Sequence, residues 1–243
     1  MQDAYSTLKG NERGIELYRG VIFDLDNTIY DYTECDHEAS ARLECLYCEK
    51  FGISKNEFRI LYENAKEIVK QRLGTVAASH NRILYMQAFL ELLHQKPSGL
   101  ALEMYDVYWD SMLENMKLFD YVIPYFKYLK QHDIQIGILT DLTAHIQHRK
   151  ICTLGIADYI DCLVTSEEVG EEKPSPRMFE LMLGKLALRP DEVCMIGDSS
   201  AKDVAGADKS GIHGIMITQE ICMDTECRIL RKLLMEDGTN ETV

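Results

Sequence analysis

Asp24 and Asp26 stand one residue apart at the end of an apolar run, in VIFDLDNTIYD (21–31). If strand pairing persisted through them, both side chains would point the same way, and like charges that close are costly unless a cation or a chemical task holds them. Further along, Thr140 and Asp141 end a second apolar run, Lys173 lies in SEEVGEEKP, and Asp198 follows Gly197 at the end of another. Carboxylates gathered with no His or Cys beside them suit a hard cation such as Mg²⁺, which keeps several waters and often bridges to a phosphate. Such chemistry needs cations, because a carboxylate about 4 Å from a phosphate dianion is repelled by roughly 8 kcal/mol at an effective dielectric of about 20. Balanced by Mg²⁺ and Lys173, Asp24 could attack phosphorus to form an aspartyl phosphate. Asp26 could then protonate the leaving oxygen and later deprotonate the incoming water. Asp26 must be the less tightly held by the metal, which fits a backbone carbonyl contact with its side chain turned to the leaving group. Thr140 offers a hydroxyl donor, and backbone N–H groups after Asp24 and Thr140 could hold phosphoryl oxygens.

The elements that must carry these residues follow from periodicity. Five short apolar runs, at 21–25, 134–140, 161–166, 193–198 and 213–218, alternate with helical stretches. That is the pattern of central strands in a parallel sheet covered on both faces, so the fold class is α/β with a Rossmann-like core. Ligands of such sheets sit outside the carboxyl ends of the strands, where Asp24, Thr140, Asp198 and the loop bearing Lys173 converge. Residues 31–117 show helical patterns and no strand, far more than a simple crossover needs, and are expected to form an inserted helical cap domain. Residues 1–30 and 118–243 would then form the core domain. Within the insert, Pro97-Ser98-Gly99 marks a turn between helices, and 121–133 reads as the helix returning to the core. Residues 1–18 and 236–243 read as polar tails on the surface or disordered.

Composition narrows the partners. A chain of 243 residues with 46% hydrophobic content can bury one sizeable core and a smaller second one. A formal charge of −14 would repel nucleic acid polymers and anionic lipid, and no apolar run reaches the length of a membrane span. The first twenty residues lack the apolar centre of a signal peptide, which points to the cytoplasm and to reduced thiols among the eight cysteines. Cys45 and Cys48 form a C-x-x-C, but they lie in a segment of helical periodicity with no second pair at zinc-site spacing. A plain helix face is the better reading than redox or zinc work.

DLDNT, the Thr140 strand end, the Lys173-Pro174 step and GDSSAKD (197–203), in this order with a helical insert directly after the first, resemble the haloacid dehalogenase superfamily of phosphohydrolases with the small helical cap. The resemblance covers about residues 20–218. It implies Asp24 as nucleophile and metal ligand, Asp26 as general acid/base and backbone metal ligand, Asp198 as metal ligand, and Mg²⁺ as cofactor. It further implies Thr140 with Asp141 and Lys173 as phosphate binders, and Asp203, Asn27 and Ser199 in support. The superfamily's dehalogenases use no metal and lack the acid/base Asp two residues after the nucleophile, whereas Asp26 is present here. Its phosphomutases share Asp26 and the cap, but their last motif tends to read Glu-Asp where this chain has Gly197-Asp198. Hydrolysis is therefore expected; a phosphomutase or a non-catalytic phospho-ligand-binding protein is the alternative.

A cap over the strand ends would exclude water and admit only small molecules, so the expected partner is a small phosphorylated metabolite, a nucleoside monophosphate or a sugar phosphate. DNTIYD, SEEVGEEKP and ASHNRILYMQAFLE look most like the branch that includes nucleoside 5′-monophosphate phosphatases and acylneuraminate 9-phosphate phosphatases. Candidate substrate contacts are His80, Asn81 and Arg82, with Arg72 nearby, weighed against ordinary helix capping or solvation. Tyr30, Tyr32, Tyr105, Tyr108 and Trp109 could stack on a base, although tyrosines at helical spacing are more often core. A monomer and a homodimer are both compatible with the sequence.

Overall fold

The structure, a computed structural model, describes residues 18–235. The tails expected at 1–18 and 236–243 lie outside it except for Tyr18, which corrects that reading. Tyr18 is buried, and its hydroxyl lies 2.6 Å from His213 Nδ1.

Five strands, β1 (Gly20–Phe23), β2 (Gln135–Thr140), β3 (Cys162–Thr165), β4 (Val193–Gly197) and β5 (His213–Met216), form one sheet in the order β3-β2-β1-β4-β5, with every neighbouring pair parallel. All five expected strands are present, each trimmed by one or two residues at one or both ends, while β1 begins one residue earlier, at Gly20. The uninterrupted apolar character of β1 and β4 has a direct cause, since every residue of both is buried between helical layers. Successive β1 side chains point to opposite faces. Val21 and Phe23 join the larger apolar cluster, while Ile22 packs with Leu139, Val164, Met178 and Phe179 on the other face.

Between β1 and β2 the chain forms α1 (Tyr32–Phe51), α2 (Lys55–Leu73), α3 (Arg82–Leu92) and α4 (Leu100–Asn115), then returns through α5 (Val122–Gln131). The starts are sequence-encoded. Asp31 caps α1 by accepting from the Glu34 N–H at 2.9 Å, and Ser54 caps α2 through the Glu57 N–H at 3.2 Å. Gly52 ends α1 at φ 66°, a left-handed turn that glycine adopts without a Cβ penalty. Phe58 and Phe89 pack α2 on α3 with ring centroids 4.8 Å apart, and Phe23 meets Phe126 of α5 at 5.1 Å. One continuous apolar cluster therefore runs from the helical insert onto a face of the sheet.

The remaining helices are α6 (Ala144–Thr153), α7 (Ser166–Val169), α8 (Pro176–Leu186), α9 (Ala205–Lys209), α10 (Gln219–Met223) and α11 (Arg228–Met235). No helix among the described residues is long and apolar enough to cross a membrane.

Candidate active site

The register of the sheet brings the acidic residues together. Phe23 is paired with Ile138 on β2 and with Ile196 on β4, so Asp24 lies one step past the paired residues, level with the end of β4 and one residue short of the end of β2. The Asp24 N–H donates to the Ile196 carbonyl at 2.9 Å, and pairing stops there. The strand expected over 21–25 thus ends two residues earlier, at Phe23, because Asp24 and Asp26 belong to the turn above the sheet. Asn27 sits in that turn at φ 60°, and its side-chain oxygen accepts from the Thr33 N–H at 3.0 Å and from the Thr33 hydroxyl. At the end of β2, Leu142 takes φ 87°, a strained conformation for a residue with a Cβ, and one that clusters at functional sites.

Lys173 is the centre of the charge arrangement. Its Nζ donates to Asp24 Oδ1 at 2.5 Å and to Asp203 Oδ1 at 2.7 Å, all three side chains being almost wholly buried. Burial alone would depress the Lys173 ammonium, but Asp24, Asp203 and Asp141 overcome it and hold its pKa above the ordinary lysine value. Burial pushes the Asp24 carboxyl up to about 7, Lys173 opposing and Asp203 and Asp26 adding to the rise. Asp198 is also raised, by burial first and then by Asp203, with Lys173 opposing.

Asp24, Asp198 and Asp203 each present a carboxylate oxygen within 4.8 Å of the others. Asp203 is the least free of the three, since its second oxygen accepts from the Ser199 N–H at 2.9 Å. Asp24 and Asp198 therefore keep more of their oxygens open to a cation than Asp203 does. An all-oxygen donor set without His or Cys fits a hard divalent cation such as Mg²⁺. The Asp26 side chain does not join this cluster.

Asp26 has partners that sequence reasoning missed. Lys150 Nζ donates to both of its oxygens, at 2.7 and 2.8 Å, and the Tyr30 hydroxyl donates to Oδ1 at 2.6 Å. Burial pushes the Lys150 ammonium down, against the pull of Asp26. Gln147, on the same helix, donates at 2.6 Å to the Thr140 hydroxyl and at 2.6 Å to the Asp141 carbonyl. A signal existed: the buried face of α6 is Ile146, Gln147, Lys150 and Ile151, so a Gln and a Lys occupy positions where periodicity calls for apolar side chains.

The Asp141 side chain is occupied within the protein. Its two oxygens accept from the Lys173 N–H at 3.0 Å and from Lys202 Nζ at 2.8 Å, so its carboxylate secures the Lys173 loop and only its backbone is left for a phosphate. Lys202 was not anticipated; it also lies 3.6 Å from Glu172.

These groups surround a cleft of about 290 Å³ whose wall includes Asp24, Asp26, Asn27, Thr140, Lys173, Asp198 and Ser199 from the strand ends, and Tyr32, His80 and Arg82 from the insert. His80 Nε2 lies 3.0 Å from Glu172, linking insert and strand-end loop. Arg82 donates to the Tyr32 hydroxyl at 2.6 Å and packs against the rings of Tyr85 and Tyr108. Of the other proposed contacts, Asn81 accepts from the Ile83 N–H as the cap of α3, and exposed Arg72 faces a separate groove between α2 and α3. Tyr30, Tyr108 and Trp109 are core residues rather than stacking surfaces, and Tyr32 alone of the five lines the cleft. Cys45 and Cys48 lie along α1, in the helix that the periodicity of their segment predicted.

Comparison with known proteins agrees with this geometry. The chain is 38% identical over 81% of its length to a ribulose-1,5-bisphosphate 5-phosphatase of Halopiger xanaduensis, covering 83% of that protein. It is 24% identical over 82% of its length to the human N-acylneuraminate-9-phosphatase, covering 82% of it. A crystallised HAD phosphatase from Thermococcus onnurineus superposes with a TM-score of 0.64 at 25% identity, over 89% of this chain and 97% of that one. The sequence pattern of the haloacid dehalogenase-like hydrolases matches residues 21–217, and this chain belongs to that family.

Proposed function

We propose that the protein is a Mg²⁺-dependent phosphatase of small phosphorylated metabolites, acting through an aspartyl phosphate on Asp24. The observation that carries this is the buried Asp24 carboxylate, at the end of the central strand, held by Lys173 at 2.5 Å beside the Asp198 and Asp203 carboxylates. Bound by Asp24, Asp198 and the Asp26 carbonyl, Mg²⁺ would supply the charge that offsets repulsion between carboxylate and phosphate. Asp24 attacks phosphorus, the bond from phosphorus to the ester oxygen breaks, and Asp26 gives its proton to that oxygen. Asp26, now ionised, takes a proton from the water that attacks the aspartyl phosphate, releasing inorganic phosphate and restoring Asp24. The buried Thr140 hydroxyl, oriented by Gln147, and the Lys173 ammonium bind phosphoryl oxygens. Residues 31–117 act as the cap over the remaining residues, with His80 and Arg82 facing the organic part of the substrate.

A sugar phosphate is favoured over a nucleoside monophosphate. The cleft wall has polar groups suited to hydroxyls, in Tyr32, His80 and Arg82, while Tyr108 and Trp109 are packed away from any base. Two of the relatives reported above are named for phosphorylated sugars. The test is phosphate release from sugar phosphates and nucleoside monophosphates, with Mg²⁺ and with a chelator, beside Asp24→Asn. Metal-dependent release that the variant loses while keeping its circular dichroism spectrum supports the assignment. A variant that retains most of its turnover would sink it.

A further inference from the structure

Lys150 is one of two buried lysines at the cleft, and the mechanism above gives it no part. Its side chain is 0% exposed, yet it is anchored on α6 and reaches Asp26, a carboxylate of the cleft wall outside the cluster of Asp24, Asp198 and Asp203. The grip is specific: one ammonium holds both Asp26 oxygens, and the Tyr30 hydroxyl holds one of them. A side chain fixed at three points has one orientation, and Asp26 still presents an edge to the cleft, with 22% of its side chain exposed.

The surroundings of the ammonium add a second feature. It lies 5.1 Å from the ring centroid of Tyr32, 5.5 Å from Trp109 and 5.9 Å from Tyr30, distances at which aromatic faces attract a cation. Tyr32 opens α1 and Trp109 lies in α4, both in the insert between β1 and β2, whereas Lys150 follows β2. A single cation therefore joins the Asp26 carboxylate to the helical insert.

We propose that Lys150 is a positioning residue for the acid/base function of Asp26, and that its aromatic cage makes the aim of Asp26 depend on the seating of the insert. This rests on the phosphatase reading. A purely structural ion pair would behave differently: replacing a buried pair partner changes stability, and through it the amount of active enzyme, equally for every substrate. A positioning role is selective. Transfer to an alkoxide leaving group needs the proton of Asp26, whereas transfer from p-nitrophenyl phosphate, whose phenolate leaves without one, does not.

The experiment compares kcat/KM for ribose 5-phosphate and p-nitrophenyl phosphate in wild type, Asp26→Asn, Lys150→Met and Tyr30→Phe, all with Mg²⁺. A positioned general acid contributes about 100-fold or more. Lys150→Met is expected to lower kcat/KM for the sugar phosphate by at least about 30-fold while the aryl ester changes less than about threefold, following the profile of Asp26→Asn. Tyr30→Phe removes only one donor, keeps the ring, and is expected to follow the same pattern more weakly. It decides the matter if Lys150→Met fails to fold. Equal losses on both substrates, or no loss on either, would overturn the proposal while leaving the phosphatase reading intact. Absence of phosphate release in the wild type would instead overturn that reading, and the proposal with it.

Discussion

Replacing Lys173 with methionine keeps the aliphatic stem and removes a charge lodged between two buried carboxylates. In the folded protein Nζ lies 2.5 Å from Asp24 and 2.7 Å from Asp203, with the three residues 4%, 6% and 1% exposed. Breaking a buried ion pair by removing one partner costs about 3–5 kcal/mol, because the remaining charge has lost its water and its counter-ion. For a chain of this size about 1 kcal/mol corresponds to roughly 2–4 °C in Tm, so the expected fall is about 6–20 °C. The sign of the pH dependence follows from the carboxylates. Without the cation the folded-state pKa of Asp24, already raised by burial, rises further above the unfolded value of about 3.9, so folding favours its protonated form, and this contribution is lost as pH rises through the folded pKa. Lys173 itself stays protonated throughout, its pKa being held above the ordinary value. The deficit of the variant is therefore smaller near pH 5.5 than near pH 9. Urea denaturation at both pH values in a chelator measures it, and repetition with Mg²⁺ should recover more stability in the variant than in wild type, since the metal restores positive charge beside Asp24. A deficit below about 1 kcal/mol at the higher pH, or one identical at both, would refute the view that Lys173 neutralises this pair.

Gly197→Ala tests the packing behind the site. A Cβ there would stand 2.4 Å from the Asp203 carboxyl carbon, so Asp203 must leave Lys173 and the Ser199 N–H. The expected result is a loss of about 1–3 kcal/mol in thermal unfolding with a fall in turnover of at least tenfold, and a variant with wild-type Tm and activity would contradict it. Mg²⁺ affinity should rise with pH through about 7, because the metal must displace the proton that burial keeps on Asp24. Calorimetry in buffers of different ionisation enthalpy should show protons released below that pH; equal affinity and no release at about pH 5.5 and 8 would contradict the assignment of Asp24 as ligand.

The order of the strands' apolar runs, their polar ends and the helical stretch between the first two were legible in the sequence, because each is a local pattern read over a few residues. Asp24, Thr140, Lys173 and Asp198 could be grouped in advance for the same reason: a parallel sheet places all its carboxyl ends on one edge whatever the details of packing. Strand ends were less legible, since β1 stops pairing after Phe23 while β2 runs on to Thr140 and β4 to Gly197, a difference the local apolar pattern does not carry.

What only the tertiary structure decided is which charge answers which. Lys150 is 124 residues from Asp26 and sits on a helix face that periodicity alone would fill with an apolar side chain. Likewise, Asp141 and Asp203 look like equals of Asp24 and Asp198 in the chain. They are separated by their partners: Asp141 is taken up by the Lys173 N–H and Lys202, and Asp203 by Lys173 and the Ser199 N–H. Residue type and local spacing determine what a group can do and which edge of the sheet it reaches. Desolvation and pairing across distant segments determine whether it is free to do it, and those exist only once the chain is folded.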